Sequence, residues 1–303
     1  ITKTEKKITL TSITWSSSED TEGWYWSKGN EWNQKVGTKM TSWIKYTPQD
    51  SDVNKELEVT STNEDVISIE KDSGIDINLV ANKAGTSIIT IKPKYNPKNA
   101  FTYTITAYDP LIFANFEASN TTPQLDEKVT LFAKAEGGAG TLQYRFYEKD
   151  SEGKETTIQK YSNKATCEWT PSTLGKRTLY VEVKDAEKNV EQKTIENVTV
   201  IKKRAPKIND LEKSYCYTIG ADNQKIDLND YLPEDIKNST YEAKITNPSR
   251  KIVTEANKEN KTYSYNVSKD GQVGDQAKIQ FTVQSDNYED IIFNVNIALS
   301  DKL

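Results

Sequence analysis

The stretch Lys278-Ile279-Gln280-Phe281-Thr282-Val283 is followed, after Ser285-Asp286-Asn287-Tyr288-Glu289-Asp290, by Ile291-Ile292-Phe293-Asn294-Val295-Asn296-Ile297. Apolar and polar residues alternate on both sides of a turn-rich break, Ile292 excepted. A period of two puts one apolar face on the core and one polar face in water, the pattern of half-buried antiparallel strands. The same alternation recurs at Phe101–Ala107, Leu142–Tyr147 and Leu179–Lys184. Turn-forming stretches separate the runs: Asp150-Ser151-Glu152-Gly153, Asp185–Asn189 and Lys269-Asp270-Gly271. No amphipathic helix of a dozen residues is legible. Ile226–Leu232, before Pro233, reads as a short helical turn.

The runs fall into three blocks, each ending in a strongly alternating strand and a break. The first ends at Ala107-Tyr108-Asp109-Pro110 and the second at Val198–Ile201 before Lys202–Pro206. The third ends at Ile297-Ala298-Leu299. Each block has the size of one immunoglobulin-like sandwich. The expected domains are therefore 1–109, 110–203 and 204–303. The expected fold class is all-β: three tandem immunoglobulin-like β-sandwiches in an extended array. The extended geometry follows from short linkers carrying Pro110 and Pro206.

Composition agrees. Of 303 residues, 35% are apolar and 28% charged, lean for one large core and suited to small sandwiches. There is no histidine, which removes Ser-His-Asp and Cys-His catalysis and His-containing zinc sites. The expectation is no enzyme, no cofactor and no metal. Adjacent carboxylates occur at Glu19/Asp20, Glu64/Asp65 and Glu289/Asp290. Neighbours on a strand point to opposite faces and make a poor acid–base couple. Asp150–Glu152 and Asp270–Asp275 are weak calcium candidates, since the EF-hand ligand order is missing. The net charge of −5 is spread evenly over the blocks, so no nucleic acid partner is expected. The one basic cluster, Lys202-Lys203-Arg204, reads as a solvated linker. No apolar run is long enough to insert in a membrane. Ile1–Lys7 carries no leader pattern, and the expectation is an internal piece of a longer chain, lacking signal peptide and anchor. Cys167 and Cys216 fall in different blocks and are not expected to bridge. A secreted all-β chain with so few cysteines points to a bacterial surface.

Three resemblances sharpen this. In block one, Val36-Gly37-Thr38, Tyr46-Thr47-Pro48, Thr60–Ile69 and Ala84–Ile91 stand in an order that resembles the bacterial Ig-like domains of group 2. There the last run is a glycine turn feeding a closing hairpin. In block two, Tyr144–Tyr147, Cys167–Pro171 and Leu174–Asp185 resemble the triple-tyrosine sandwiches of Gram-positive extracellular proteins. In block three, Ile226–Pro233 and Ser285–Asp290 are similar to modules of gut Firmicutes surface proteins. The resemblances imply a non-catalytic spacer or adhesion array, secreted or on the surface of a Gram-positive bacterium. It would be monomeric and joined to neighbouring domains of a longer chain. A glycan, host-surface or cell-wall ligand is its implied partner.

Block one departs from its family pattern between Ile8–Trp15 and Val36, where tryptophan is concentrated. Five of the six tryptophans are Trp15, Trp24, Trp26, Trp32 and Trp43. Flat aromatic faces stack on sugar rings, and amides and carboxylates take the hydroxyls. The candidate glycan site is Trp24, Tyr25, Trp26, Trp32, Asn30 and Gln34, with Asp20, Glu22, Glu31 and Asn33 as further polar partners. The competing and stronger reading is that Trp24 and Trp26 cover a sandwich end. Trp43, inside a strand, reads as core.

Overall fold

The alternating runs fold as strands. The computed structural model describes residues 12–17, 24–26, 31–47, 56–71, 76–94, 97–98, 100–207 and 211–301. Among the described residues there are 23 strands, one 3-10 turn and no α-helix. The first nine strands are β1 Ser12–Ser17, β2 Trp24–Trp26, β3 Glu31–Lys35, β4 Lys39–Thr47, β5 Leu57–Ser61, β6 Ile67–Lys71, β7 Asp76–Ala81, β8 Gly85–Pro93 and β9 Phe101–Tyr108. They form one sheet in the order β1-β4-β7-β6 and a second in the order β2-β3-β9-β8-β5. Met40, Ile67 and Leu79 of the first sheet share one core with Trp32, Ile89, Ile91 and Ile105 of the second.

Next come β10 Ile112–Ala118, β11 Val129–Glu136, β12 Gln143–Asp150, β13 Glu155–Ser162, β14 Thr166–Trp169, β15 Gly175–Lys184 and β16 Val190–Val200. Their sheets are β10-β11-β14 and β13-β12-β15-β16. Phe116 of the first meets Phe146 of the second at a ring separation of 6.0 Å.

The last strands are β17 Lys213–Thr218, β18 Gln224–Asp227, β19 Thr240–Thr246, β20 Val253–Lys258, β21 Thr262–Val267, β22 Gln276–Gln284 and β23 Ile291–Ser300. Their sheets are β17-β23-β22-β19 and β18-β21-β20. The first strand, β17, runs parallel to the last, β23, while β22 and β23 pair antiparallel. The 3-10 turn Leu228–Asp230 lies where the sequence places a helical turn, its start capped by Asp227, which accepts from Asn229 N.

The protein is thus all-β, a tandem series of immunoglobulin-like sandwiches. By compactness, two units separate. One is Ile1–Ala118, Thr130–Cys167 and Thr178–Glu196; the other is Ser119–Val129, Glu168–Arg177 and Asn197–Leu303. Within the second unit, the segment before β11 is fastened to the chain leaving β16. Leu125 N donates to Ile201 O and Ile201 N to Pro123 O, both at 2.9 Å.

The core of the last two sheets is aromatic. Phe281 stacks on Phe293 at 5.0 Å, meets Tyr263 edge-on at 5.2 Å, and Tyr231 stacks on Phe293 at 4.5 Å. Phe281 and Phe293 are completely buried. Phe281→Ala should lose about 3–5 kcal/mol of unfolding free energy, read from the urea midpoint; a loss below about 1 kcal/mol would contradict this packing.

Candidate functional site

Strand β3 decides the fate of the glycan candidates. It is pinned between β2, antiparallel, and β9, parallel. In that register Trp24 stands opposite Gln34, Tyr25 opposite Asn33 and Trp26 opposite Trp32. Trp32 turns inward, 3% exposed, with its ring 4.9 Å from Tyr103. Gln34 is fully buried, and its Nε2 donates to Thr38 O at 2.9 Å across the turn at Gly37. Gly37 takes a φ of 86°, which favours glycine. Trp32 and Gln34 are therefore corrected from ligand contacts to core residues: alternation along a strand with one buried face carries positions 32 and 34 inward together. Glu31 is exposed. Asn33 faces the other way and donates to the Glu187 carboxylate at 2.5 Å. Trp24, Tyr25 and Trp26 are strand residues, as is Trp43 in β4. Asn30, with Asp20 and Glu22, lies outside the described residues.

A denser cluster, missed by the sequence reading, covers the outer face of β12, β13 and β15. Tyr147 and Tyr180 stack in parallel at 4.8 Å. Glu182 sits at the centre. It accepts from Arg145 Nη1 at 3.2 Å, Tyr161 OH at 2.9 Å and Tyr147 OH at 3.4 Å. Arg145 also pairs with Glu155. Each ring carries a cation: Arg145 lies 4.4 Å from the Tyr147 centroid, Lys149 5.1 Å from Tyr180 and Lys184 4.4 Å from Tyr161. Burial, aided by the Glu182 charge, pushes the Tyr147 and Tyr161 phenols up to about 12. The cluster is closed on itself, because cations occupy ring faces that a sugar would stack on. The signal that could have found it is the polar half of the alternation, Arg145-Tyr147-Lys149 against Tyr180-Glu182-Lys184.

The remaining candidates are also engaged. Asp150 caps its own turn, accepting from Glu152 N and Lys154 N. Asp275 accepts from Gln272 N and pairs with Arg250. Both are turn chemistry. Cys167 and Cys216 are unbridged, and burial lifts the Cys167 thiol to about 11.

The basic cluster is not a solvated linker. Lys203, its side chain 19% exposed, reaches Asp126 Oδ2 at 2.9 Å and Asp235 Oδ2 at 2.5 Å. Tyr288 OH donates to the other oxygen of Asp235 at 2.8 Å, and its ring lies 5.5 Å from the ammonium. Lys202 Nζ donates to Ser285 O, and Arg204 N to Gln124 Oε1. The hydrogen bonds to Asp126 and Asp235 raise the Lys203 ammonium, and Lys203 holds Asp235 below the usual carboxylate range. A linker reading fails because the partners stand far away in sequence, at 126 and 235.

No family model matches the chain, and no curated protein matches its sequence. Solved structures resemble it distantly. One is the I-band fragment I67–I69 from titin, at 12% identity and a TM-score of 0.39, covering 88% of this chain and 95% of that one. Another is the C-terminal 282-residue fragment of intimin, in complex with the intimin-binding domain of its translocated receptor. It has 14% identity and a TM-score of 0.38, with coverage of 67% and 71%. A third is a tetra-tandem repeat from the extending region of a large adhesion protein, at 12% and 0.34, with coverage of 90% and 75%. At such values no residue role passes from them to this chain.

Two outcomes follow from the geometry. Trp32→Ala should cost about 3–5 kcal/mol in denaturant unfolding, as a core truncation does and a surface ligand contact does not. The three tyrosines Tyr103, Tyr147 and Tyr161, near 12 in the fold against an ordinary 10.0, keep their protons in the native state longer than in the unfolded chain. Their contribution is intact below pH 10 and is lost as pH rises from 10 toward 12. Melting temperature should hold steady from pH 8 to 9.5 and fall beyond 10, and the phenolates of these three should form only near pH 12 or on unfolding.

Proposed function

We propose that the chain is a non-catalytic spacer and adhesion array of a bacterial surface or secreted protein, its three blocks being 1–109, 110–203 and 204–303. The observation that carries this reading is the same joint built twice. In blocks two and three the loop between the last two strands holds the chain at the block's entrance. After β15, Asp185 accepts from Ala139 N and Asn189 N, Asn189 donates to Tyr108 OH, and Glu187 accepts from Asn33. Gly138 N donates to Asp109 O. A side chain at Gly137 would start 2.1 Å from Pro110 O. After β22, Asn287 O accepts from Lys203 N, and Lys203 O accepts from Glu289 N. A spacer needs junctions that resist bending, and ordered linkers supply them where loose ones do not.

The absence of histidine and the closed Glu182 cluster favour a non-catalytic role. No helix among the described residues is long and apolar enough to cross a membrane. The resemblances of the first two blocks to group 2 and triple-tyrosine domains favour a Gram-positive exterior.

Amide hydrogen exchange tests the joints. Gly138, Ala139, Lys203 and Arg204 should be protected to within about tenfold of β22 amides, whereas free linkers exchange at unfolded-chain rates and would sink the spacer reading. Glycosides, esters and peptides should show no turnover; turnover abolished by a single carboxylate substitution would overturn the non-catalytic reading.

A further inference from the structure

We propose that Lys203 is the pin of an ionic latch that sets how firmly the third block is held to loop 119–127, and that salt loosens it. The proposal rests on the spacer reading for its purpose and on the geometry of Lys203 for its substance. Three features make the latch local. First, one ammonium is shared by two carboxylates on different loops. Asp126 lies before β11, and Asp235 lies after the 3-10 turn. Neither carboxylate has another cation within ion-pair distance among the described contacts, so removing Lys203 leaves two like charges facing the same gap.

Second, the surrounding bonds depend on that position. Asn287 is buried; its Oδ1 accepts from Lys237 N at 2.9 Å and its Nδ2 donates to Asp235 O at 2.8 Å. It thereby fixes the loop that presents Asp235. Arg204 N reaches Gln124 Oε1 at 2.7 Å, one bond from the pin and dependent on loop 119–127 staying in place. Asp126 holds a φ of 63°, a left-handed conformation that Asp tolerates and that the ion pair helps hold.

Third, the ion pairs at the latch are open to water. A cleft of about 420 Å³ opens beside them, lined by Leu125, Asp126, Glu127, Lys203, Arg204 and Tyr288 among others. The partner carboxylates Asp126 and Asp235 are half exposed. Pairs of this exposure are screened by salt, which the aromatic core of the last two sheets is not.

The test is amide exchange on the whole chain, wild type against Lys203→Met, with Asp126→Asn as a second variant. In both variants the amides of Leu125, Arg204 and Glu289 should exchange about tenfold or more faster, while β22 and β23 amides keep their rates. Raising salt from 0.05 to about 1 M should reproduce the effect in wild type and add little to Lys203→Met. Wild-type amides protected and equally protected in both variants would overturn the latch while sparing the spacer reading. Wild-type amides already at unfolded-chain rates would overturn both. Loss of protection spread equally over β22 and β23 would mean Lys203 supports the whole fold, and would also overturn a local latch.

Discussion

A sandwich with no disulfide between its sheets relies on side-chain packing to hold them together. Every other feature here depends on that constraint. The two cysteines are unbridged, so separation of the sheets is opposed by burial, with side-chain hydrogen bonds such as Tyr217 to Tyr265 beside it. The third pair of sheets meets this with aromatic residues: Tyr231, Tyr263, Phe281 and Phe293 interlock by stacked and edge-on contacts. The first pair uses smaller groups, Ile67, Leu79, Ile89, Ile91 and Ile105, and completes the layer with Trp32 against Tyr103. A buried aromatic removes more apolar area from water per residue than an aliphatic one, which suits cores this small.

Once the inner faces are committed to packing, the outer faces and block ends carry the polar work. On β12, β13 and β15, Glu182 gathers an arginine and two phenols, and the rings carry ammonium or guanidinium groups. A carboxylate 19% exposed that accepts from three donors is well satisfied, and the network fixes side chains that would otherwise be free on a solvent face. At the block ends, the buried polar residues Asp185 and Asn287 do the equivalent for loops, each satisfying backbone donors that no strand reaches.

The fold was legible because period two is a local signal: Ile279, Phe281 and Val283 announce their shared face within five residues. The 3-10 turn at Leu228–Asp230 was legible for the same reason, with Asp227 and Pro233 bracketing it. The site was less so. Trp32 looks the same in sequence whether it stacks on a sugar or on Tyr103. What decides is the parallel pairing of β3 with β9, a partner about seventy residues away. Lys203 was misread for a related reason. Its neighbours Lys202 and Arg204 made it look like one of a solvated run, whereas its partners come from two remote loops. Contacts of long sequence separation are set by topology, and composition does not encode them.

Polar joints rather than apolar ones also follow from the chemistry of a chain of small domains. An apolar patch at a junction would hold two bodies together over a broad range of orientations, and when open it would be a sticky surface. Hydrogen bonds and ion pairs hold over a narrow range of distance and angle, so a few of them fix direction with little buried area. Two sets of contacts use them: Asn189 and Glu187 reach Tyr108 and Asn33, and Lys203 reaches Asp126 and Asp235. The two differ in what screens them. Asp185, at the first joint, is buried and bonded to backbone, beyond the reach of salt. The carboxylates at the second are half in water. The contacts around Lys203 are therefore the ones that weaken as ionic strength rises.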